Sequence, residues 1–272
     1  MQAPFNTIDV QGIRLEVQRL EGPADRAPLV FLHEGLGSVS LWTQRGLNWP
    51  LDVCRAAGRS GLVYSRQGYG HSDPVPDVRG EPRMQNGQRT GRLQPDYMHR
   101  EALEVLPALL EAVGMQRPVL IGHSDGATIA LLYASALPVS GCVAMAPHVL
   151  VEDVAIAAIT QARTAFESGG LRERLARYHA DVDSAFWQWN DVWLSEAFRA
   201  FDIRPECACI SAPLLLIQGL DDEYGTLRQL DEIAAAVPHA RQLRLADCGH
   251  SPQRDQPELP LEAITAFLAD ID

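Results

Sequence analysis

Short apolar runs separated by helix-length amphipathic segments fill most of this sequence, and that alternation restricts the fold more than any other feature. Runs 29–32, 62–64, 119–121, 142–145 and 214–217 are almost free of polar residues, as strands buried on both faces must be. Segments 97–113, 127–137 and 227–237 have the apolar spacing of helices that cover such strands. Strand and helix in alternation predict an α/β fold, a mostly parallel sheet flanked by helices. Ligands in such sheets bind at the carboxyl ends of the strands. Ahead of these runs, 7–10 and 13–19 alternate apolar and polar residues around Gln11-Gly12, which predicts a hairpin. A length of 272 residues, 46% of them hydrophobic, suffices for one large buried core.

Two stretches break the rhythm. Between Pro147 and Pro213 the pattern is helical, with no convincing buried strand. This predicts a small helical cap over 148–212, inserted between core segments 1–147 and 213–272. Its helices are expected at 155–166, at 171–179 and around the aromatic run 186–193. The other stretch, 73–95, is rich in Pro, Gly, Gln and Arg and exceeds ordinary connections in length. It is expected to be either a functional loop or a mobile one.

Composition removes several classes of function. The net charge of -12, from 35 acidic and 23 basic residues, repels nucleic acid and anionic membrane surfaces, so a small-molecule substrate is the expected partner. Five cysteines without a repeated spacing do not make a disulfide framework. Cys207 and Cys209 lack a second pair at ligand spacing, so no metal is expected. The start, Met1-Gln2-Ala3-Pro4-Phe5, has no basic segment followed by an apolar core, and no run reaches about eighteen apolar residues. A cytoplasmic protein is expected, neither exported nor membrane-spanning.

Gly122-His123-Ser124-Asp125-Gly126 lies where the apolar run ending at Ile121 gives way to a helical pattern. A serine in such a strand–turn–helix needs small neighbours, which the flanking glycines supply. That geometry lifts the hydroxyl out of the sheet and places the Asp125 amide at a helix N-terminus, where it can stabilise an oxyanion. A hydroxyl is a poor nucleophile at neutral pH. It needs a base to take its proton and a carboxylate to fix the tautomer of that base. Later strand ends offer candidates: Asp221, Asp222 and Glu223 after 214–217, and His250 after the last strand at 242–246.

With these residues in order, the chain resembles the α/β-hydrolase superfamily, in the branch of small capped hydrolases that includes esterases and meta-cleavage-product hydrolases. The resemblance implies a triad of Ser124, His250 and Asp222, since the family's acid usually stands three places after the glycine closing the preceding strand, here Gly219. It leaves Asp221 as a turn residue. His33-Glu34-Gly35-Leu36-Gly37-Ser38 is similar to the family's His-Gly-x loop, which implies Gly35 as the second oxyanion donor beside Asp125. Glu34 departs from that pattern by replacing glycine. A carboxylate there must point away or pair with a cation, with substrate, Arg66 or a structural hydrogen bond as its possible contacts. Loop 64–72 resembles one that supports the fold, with Ser65 replacing the usual Asp. Trp187, Trp189 and Trp193 are candidates for an apolar wall over the substrate, or for the core of the cap itself.

The expected function is hydrolysis of a carboxylic ester or similar small acyl compound through an acyl-serine intermediate, with no metal or organic cofactor. On the same triad, carbon–carbon bond hydrolysis and the lyase chemistry of menaquinone synthesis are the rivals. A proline-type aminopeptidase would need an acidic cap pocket, for which Glu152, Asp153, Asp181 and Asp183 are available. Haloalkane dehalogenase chemistry uses aspartate where this chain has Ser124. Outside the enzymes, a non-catalytic small-ligand receptor uses the same fold. Substrate and oligomeric state are open.

Overall fold

The computed structural model describes residues 6–43, 46–85 and 88–271. The Met1 to Phe5 start, whose pattern predicts no export, lies outside them. Strands Asn6–Val10 (β1) and Ile13–Leu20 (β2) form the hairpin that Gln11-Gly12 predicts. Leu29–Leu32 (β3) and Gly61–Tyr64 (β4) follow, joined through helix Trp49–Ala57 (α1). Within the 73–95 stretch, Arg83–Gln85 (β5) and Gln88–Thr90 (β6) make a separate short hairpin. Val119–His123 (β7), Gly141–Met145 (β8), Leu214–Gly219 (β9) and Arg241–Leu245 (β10) complete an eight-stranded sheet in the order β1-β2-β4-β3-β7-β8-β9-β10. Pairing is antiparallel at β1–β2 and β2–β4 and parallel from β4 to β10.

Alternation along each strand assigns neighbours to opposite faces. Val30 and Leu32 of β3 join one apolar cluster, and Leu29 and Phe31 join the other. The first cluster is filled by helix Asp125–Ala136 (α4), buried at every position from Asp125 to Ala134; a helix apolar all round belongs inside. The expected helix at 97–113 forms in three pieces: Tyr97–Arg100 (α2), a π-helical turn Glu101–Val105, and Leu106–Val113 (α3). Pro107 lacks an N–H, so one carbonyl of the preceding turn has no helical donor and the backbone widens there.

Between β8 and β9 the described chain is helical: Asp153–Glu167 (α5), Gly170–Leu175 (α6), Val182–Trp193 (α7), a 3-10 turn Ala197–Ala200, and Arg204–Cys207 (α8). The expected helix at 171–179 ends at Leu175, and His179 beyond it is drawn inward. Its Nδ1 accepts from the Gly70 amide at 3.0 Å and its Nε2 donates to the Leu36 carbonyl at 3.0 Å. Helices Arg228–Ala236 (α9), Pro252–Asp255 (α10) and Glu258–Leu268 (α11) finish the chain. Among the described residues no helix is long and apolar enough to cross a membrane.

Candidate active site

The turn after β7 explains its own glycines. A Cβ on Gly122 would collide with the Gly126 carbonyl, and one on Gly126 with the Leu32 carbonyl. Between them Ser124 is held at φ 54°, a left-handed conformation that non-glycine residues rarely adopt. Helix α4 begins at the next residue, so the Ser124 hydroxyl stands at the carboxyl edge of the sheet.

There it meets two later loops. His250, on the loop after β10, places Nε2 2.9 Å from Ser124 Oγ. Its Nδ1 lies 2.8 and 3.0 Å from the two carboxylate oxygens of Asp222, on the loop after β9. Asp222 also accepts from the amides of Tyr224 at 2.8 Å and Gly225 at 3.2 Å, and from Gln218 Nε2 at 3.2 Å. Burial alone would raise the carboxyl pKa of Asp222, but these donors and His250 outweigh it and hold the group below the usual carboxylate range. Asp221 stays exposed, and its amide donates to the Cys248 carbonyl.

Of Gly35 and Asp125, the expected oxyanion donors, Asp125 directly follows the serine and opens α4, and Gly35 lies on the loop after β3. Neither amide finds a main-chain acceptor outside regular structure among the described residues. The Asp125 side chain turns away: it accepts from Tyr97 Oη at 2.6 Å and lies 4.0 Å from Arg66. Burial raises its pKa against the pull of Arg66 and Tyr97. Arg66 supports the Gly35 loop from beneath, donating to the carbonyls of His33 at 2.6 Å and Glu34 at 3.0 Å. Of the contacts open to Glu34, the one with Arg66 is therefore made by its main chain. Its carboxylate lies 3.5 Å from His123 Nδ1 instead. Loop 64–72 is secured by an exchange of parts: Ser65 Oγ donates to the buried Glu16 carboxylate of β2 at 2.7 Å, so the neighbouring strand supplies the acid missing from the loop.

The three tryptophans separate. Trp189 lies over the loop after β3, where a Cβ on Gly35 would strike its indole nitrogen. Trp193 is buried one ring behind the site, 5.0 Å from the His148 ring, and donates to Tyr97 Oη at 3.0 Å. Trp187 is set apart from both. It packs on Phe166 and Phe186 beneath Arg79, whose guanidinium carbon stands 3.8 Å from its ring, and both Arg79 and Arg163 pair with Asp191. This cluster, with a bond from the Val75 amide to Ser184 Oγ, ties the 73–95 stretch to α7. The four acids considered for an ammonium pocket are occupied elsewhere: Glu152 by Thr226 and Gln229, Asp153 by Arg199, Asp181 as the cap of α7, and Asp183 by Arg172.

Sequence patterns gave no sign of His148, which follows β8. Its ring centroid lies 5.7 Å from that of His250, and Nδ1 is buried without a partner among the described residues. A lone histidine outside a motif carries no periodic signal. Burial pushes its pKa down to about 3. His33 and His179 are also held neutral by burial, the latter at about 4, and each uses one ring nitrogen to accept from a main-chain amide. In the unfolded chain all three titrate near about 6.5. A folded pKa below the unfolded one contributes stability that is present above about 6.5 and lost as pH falls toward the folded value. The melting temperature is therefore expected to drop from pH 6.5 downward, above the carboxylate range, with each histidine costing about 1.4 kcal/mol per pH unit. A melting temperature constant from pH 7 to 5 would show that these rings protonate freely.

The profile of the alpha/beta hydrolase family matches residues 29–263. The mouse sn-1-specific diacylglycerol lipase ABHD11 is 23% identical over 290 residues, covering 96% of this chain and 87% of that protein. Among solved structures, the enol-lactonase from Burkholderia xenovorans LB400 superposes with a TM-score of 0.70 at 19% identity, covering 97% of this chain and all of that one (100%). A structure from work on carboxylesterases of Nitrososphaera gargenis gives 0.71 at 17% identity over 98% of both chains. With the family profile spanning most of its length and the sheet order given above, this chain belongs to the alpha/beta hydrolase family.

Proposed function

We propose that the chain is a serine hydrolase that cleaves a carboxylic ester or similar small acyl substrate through an acyl-serine intermediate. The observation that carries this reading is the unbroken line of hydrogen bonds from Ser124 Oγ through His250 to Asp222. In it, Nε2 of His250 takes the serine proton as Oγ attacks the carbonyl carbon. The amides of Gly35 and Asp125 receive the oxyanion, and the same Nε2 returns the proton to the departing alcohol. Water, deprotonated by His250, then releases the acid and regenerates the serine. The Asp222 charge stabilises the imidazolium at each stage.

A fluorophosphonate probe tests activation of Ser124, because labelling requires an activated hydroxyl. An unlabelled, folded protein would favour the ligand-receptor alternative. A panel of short and long acyl esters, with a vinylogous diketone beside them, then identifies the bond cleaved. Preference for the diketone would replace ester hydrolysis by carbon–carbon cleavage.

In this reading Trp189 contacts substrate and Trp187 does not. Trp189→Ala is expected to change the ratio of kcat/KM between a short and a long acyl ester by about tenfold, as loss of an apolar contact of about 1–3 kcal/mol implies. Trp187→Ala is expected to lower the melting temperature and leave that ratio unchanged. Equal effects of the two variants on selectivity would remove Trp189 from the substrate wall.

A further inference from the structure

We propose that Glu34 and His123 form a carboxylate–imidazolium couple that positions His250 and keeps the charge of Glu34 off the oxyanion site. The inference rests on the serine-hydrolase reading and adds two positioning residues to it.

His123 lies between Gly122 and Ser124, buried, with its ring 5.2 Å from that of His250. Its Nε2 donates to the main-chain carbonyl of His250 at 2.6 Å. One short bond thus links the turn that carries the nucleophile to the loop that carries the base. With Nε2 committed as a donor, Nδ1 faces the Glu34 carboxylate at 3.5 Å and the side-chain nitrogen of Gln253 at 3.0 Å, while Gln253 Oε1 is buried without a partner among the described residues. The orientation of an amide is assigned from its partners. Turning the amide about gives the unpartnered Oε1 the ring as its partner, and the imidazolium then donates at both nitrogens.

Glu34 immediately precedes Gly35, so a bare carboxylate there would oppose the negative charge that develops on the substrate oxygen. Burial disfavours ionisation of Glu34, yet His123, 3.5 Å away, outweighs it and holds the carboxyl at about 2. A charged carboxylate at this position needs a cation beside it to silence it. Arg66 does not serve, because its guanidinium is spent on the carbonyls of His33 and Glu34 and on Asp125. His123 is the cation in reach, and its proton both neutralises Glu34 and leaves Nε2 free to hold the His250 loop.

The couple predicts a specific failure of additivity. His123→Gln leaves Glu34 unpaired beside the oxyanion, whereas Glu34→Gln removes the charge together with the need for its partner. Measured on p-nitrophenyl acetate, H123Q is expected to lower kcat about 100-fold with KM changed less than about threefold. E34Q is expected to lower kcat about three- to tenfold, since His123 then holds the His250 loop less firmly. The double variant is expected to recover to within about threefold of E34Q. A double variant no faster than H123Q would overturn the couple. Should H123Q fail to fold, judged by its melting curve, E34Q decides: a loss in kcat that Glu34→Asp restores supports the couple, and wild-type kcat overturns it. Fluorophosphonate labelling of the wild type separates the two readings. An unlabelled wild type sinks the hydrolase assignment, and a labelled one without rescue sinks the couple alone.

Discussion

Ser124→Ala is expected to lower kcat by about five to six orders of magnitude while leaving the fold intact. The effect is large because the proposed mechanism forms its covalent bond at Oγ, and neither a His250 without a nucleophile nor the oxyanion amides alone replace that step. Stability should change little. Alanine meets the same backbone at φ 54° that serine does, and the hydroxyl loses one hydrogen bond, to His250. A neutral hydrogen bond contributes about 1 kcal/mol, which shifts the melting temperature of a chain this long by about 2–4 °C. Turnover comparable to wild type in a folded variant would end the serine-hydrolase reading. A collapsed melting curve would instead show that the turn after β7 depends on the hydroxyl.

The parts of this molecule that were legible in its sequence are those governed by local rules. The apolar runs at 29–32, 119–121 and 214–217 became β3, β7 and β9 because burial on both faces demands uninterrupted apolar residues. The glycines at 122 and 126 could be read because backbone approaches leave no room for a Cβ. Less legible were features set by partners distant in sequence. His148 approaches His250 across about a hundred residues, and no spacing announces it. Trp187 and Trp189 are two residues apart on one helix, and an α-helix turns about 100° per residue, so positions i and i+2 face opposite sides. One indole therefore lies over Gly35 while the other is sandwiched against Arg79. Sequence proximity left these residues open to a substrate wall or to the core of the cap, and helical geometry sends Trp187 and Trp189 to different surroundings. Likewise the acid that steadies Ser65 comes from Glu16 on another strand, a substitution visible only once β2 and β4 are paired.

Asp222→Asn is expected to reduce kcat by about three to four orders of magnitude, and Asp221→Asn by less than about threefold. The two side chains are adjacent, yet only one reaches the histidine. Asp222 offers one oxygen to the amides of Tyr224 and Gly225 and to His250 Nδ1, and the other to Gln218 Nε2 and the same Nδ1. An asparagine that keeps the main-chain bonds must direct its NH2 toward Gln218 and His250. It then opposes the Gln218 donor at a separation of 3.2 Å in the native protein, and it presents a donor to Nδ1. That favours the tautomer with its proton on Nε2, which cannot accept from Ser124. The lost carboxylate charge also removes stabilisation from the imidazolium that forms during attack. Asp221, exposed and tied to Cys248 only through its main-chain amide, keeps that bond when its side chain becomes an amide. Steady-state kinetics on one ester, with melting curves for both variants, distinguishes the outcomes. A severe loss in Asp221→Asn with a mild one in Asp222→Asn would move the acid one position back and require the loop after β9 to rearrange on substrate binding.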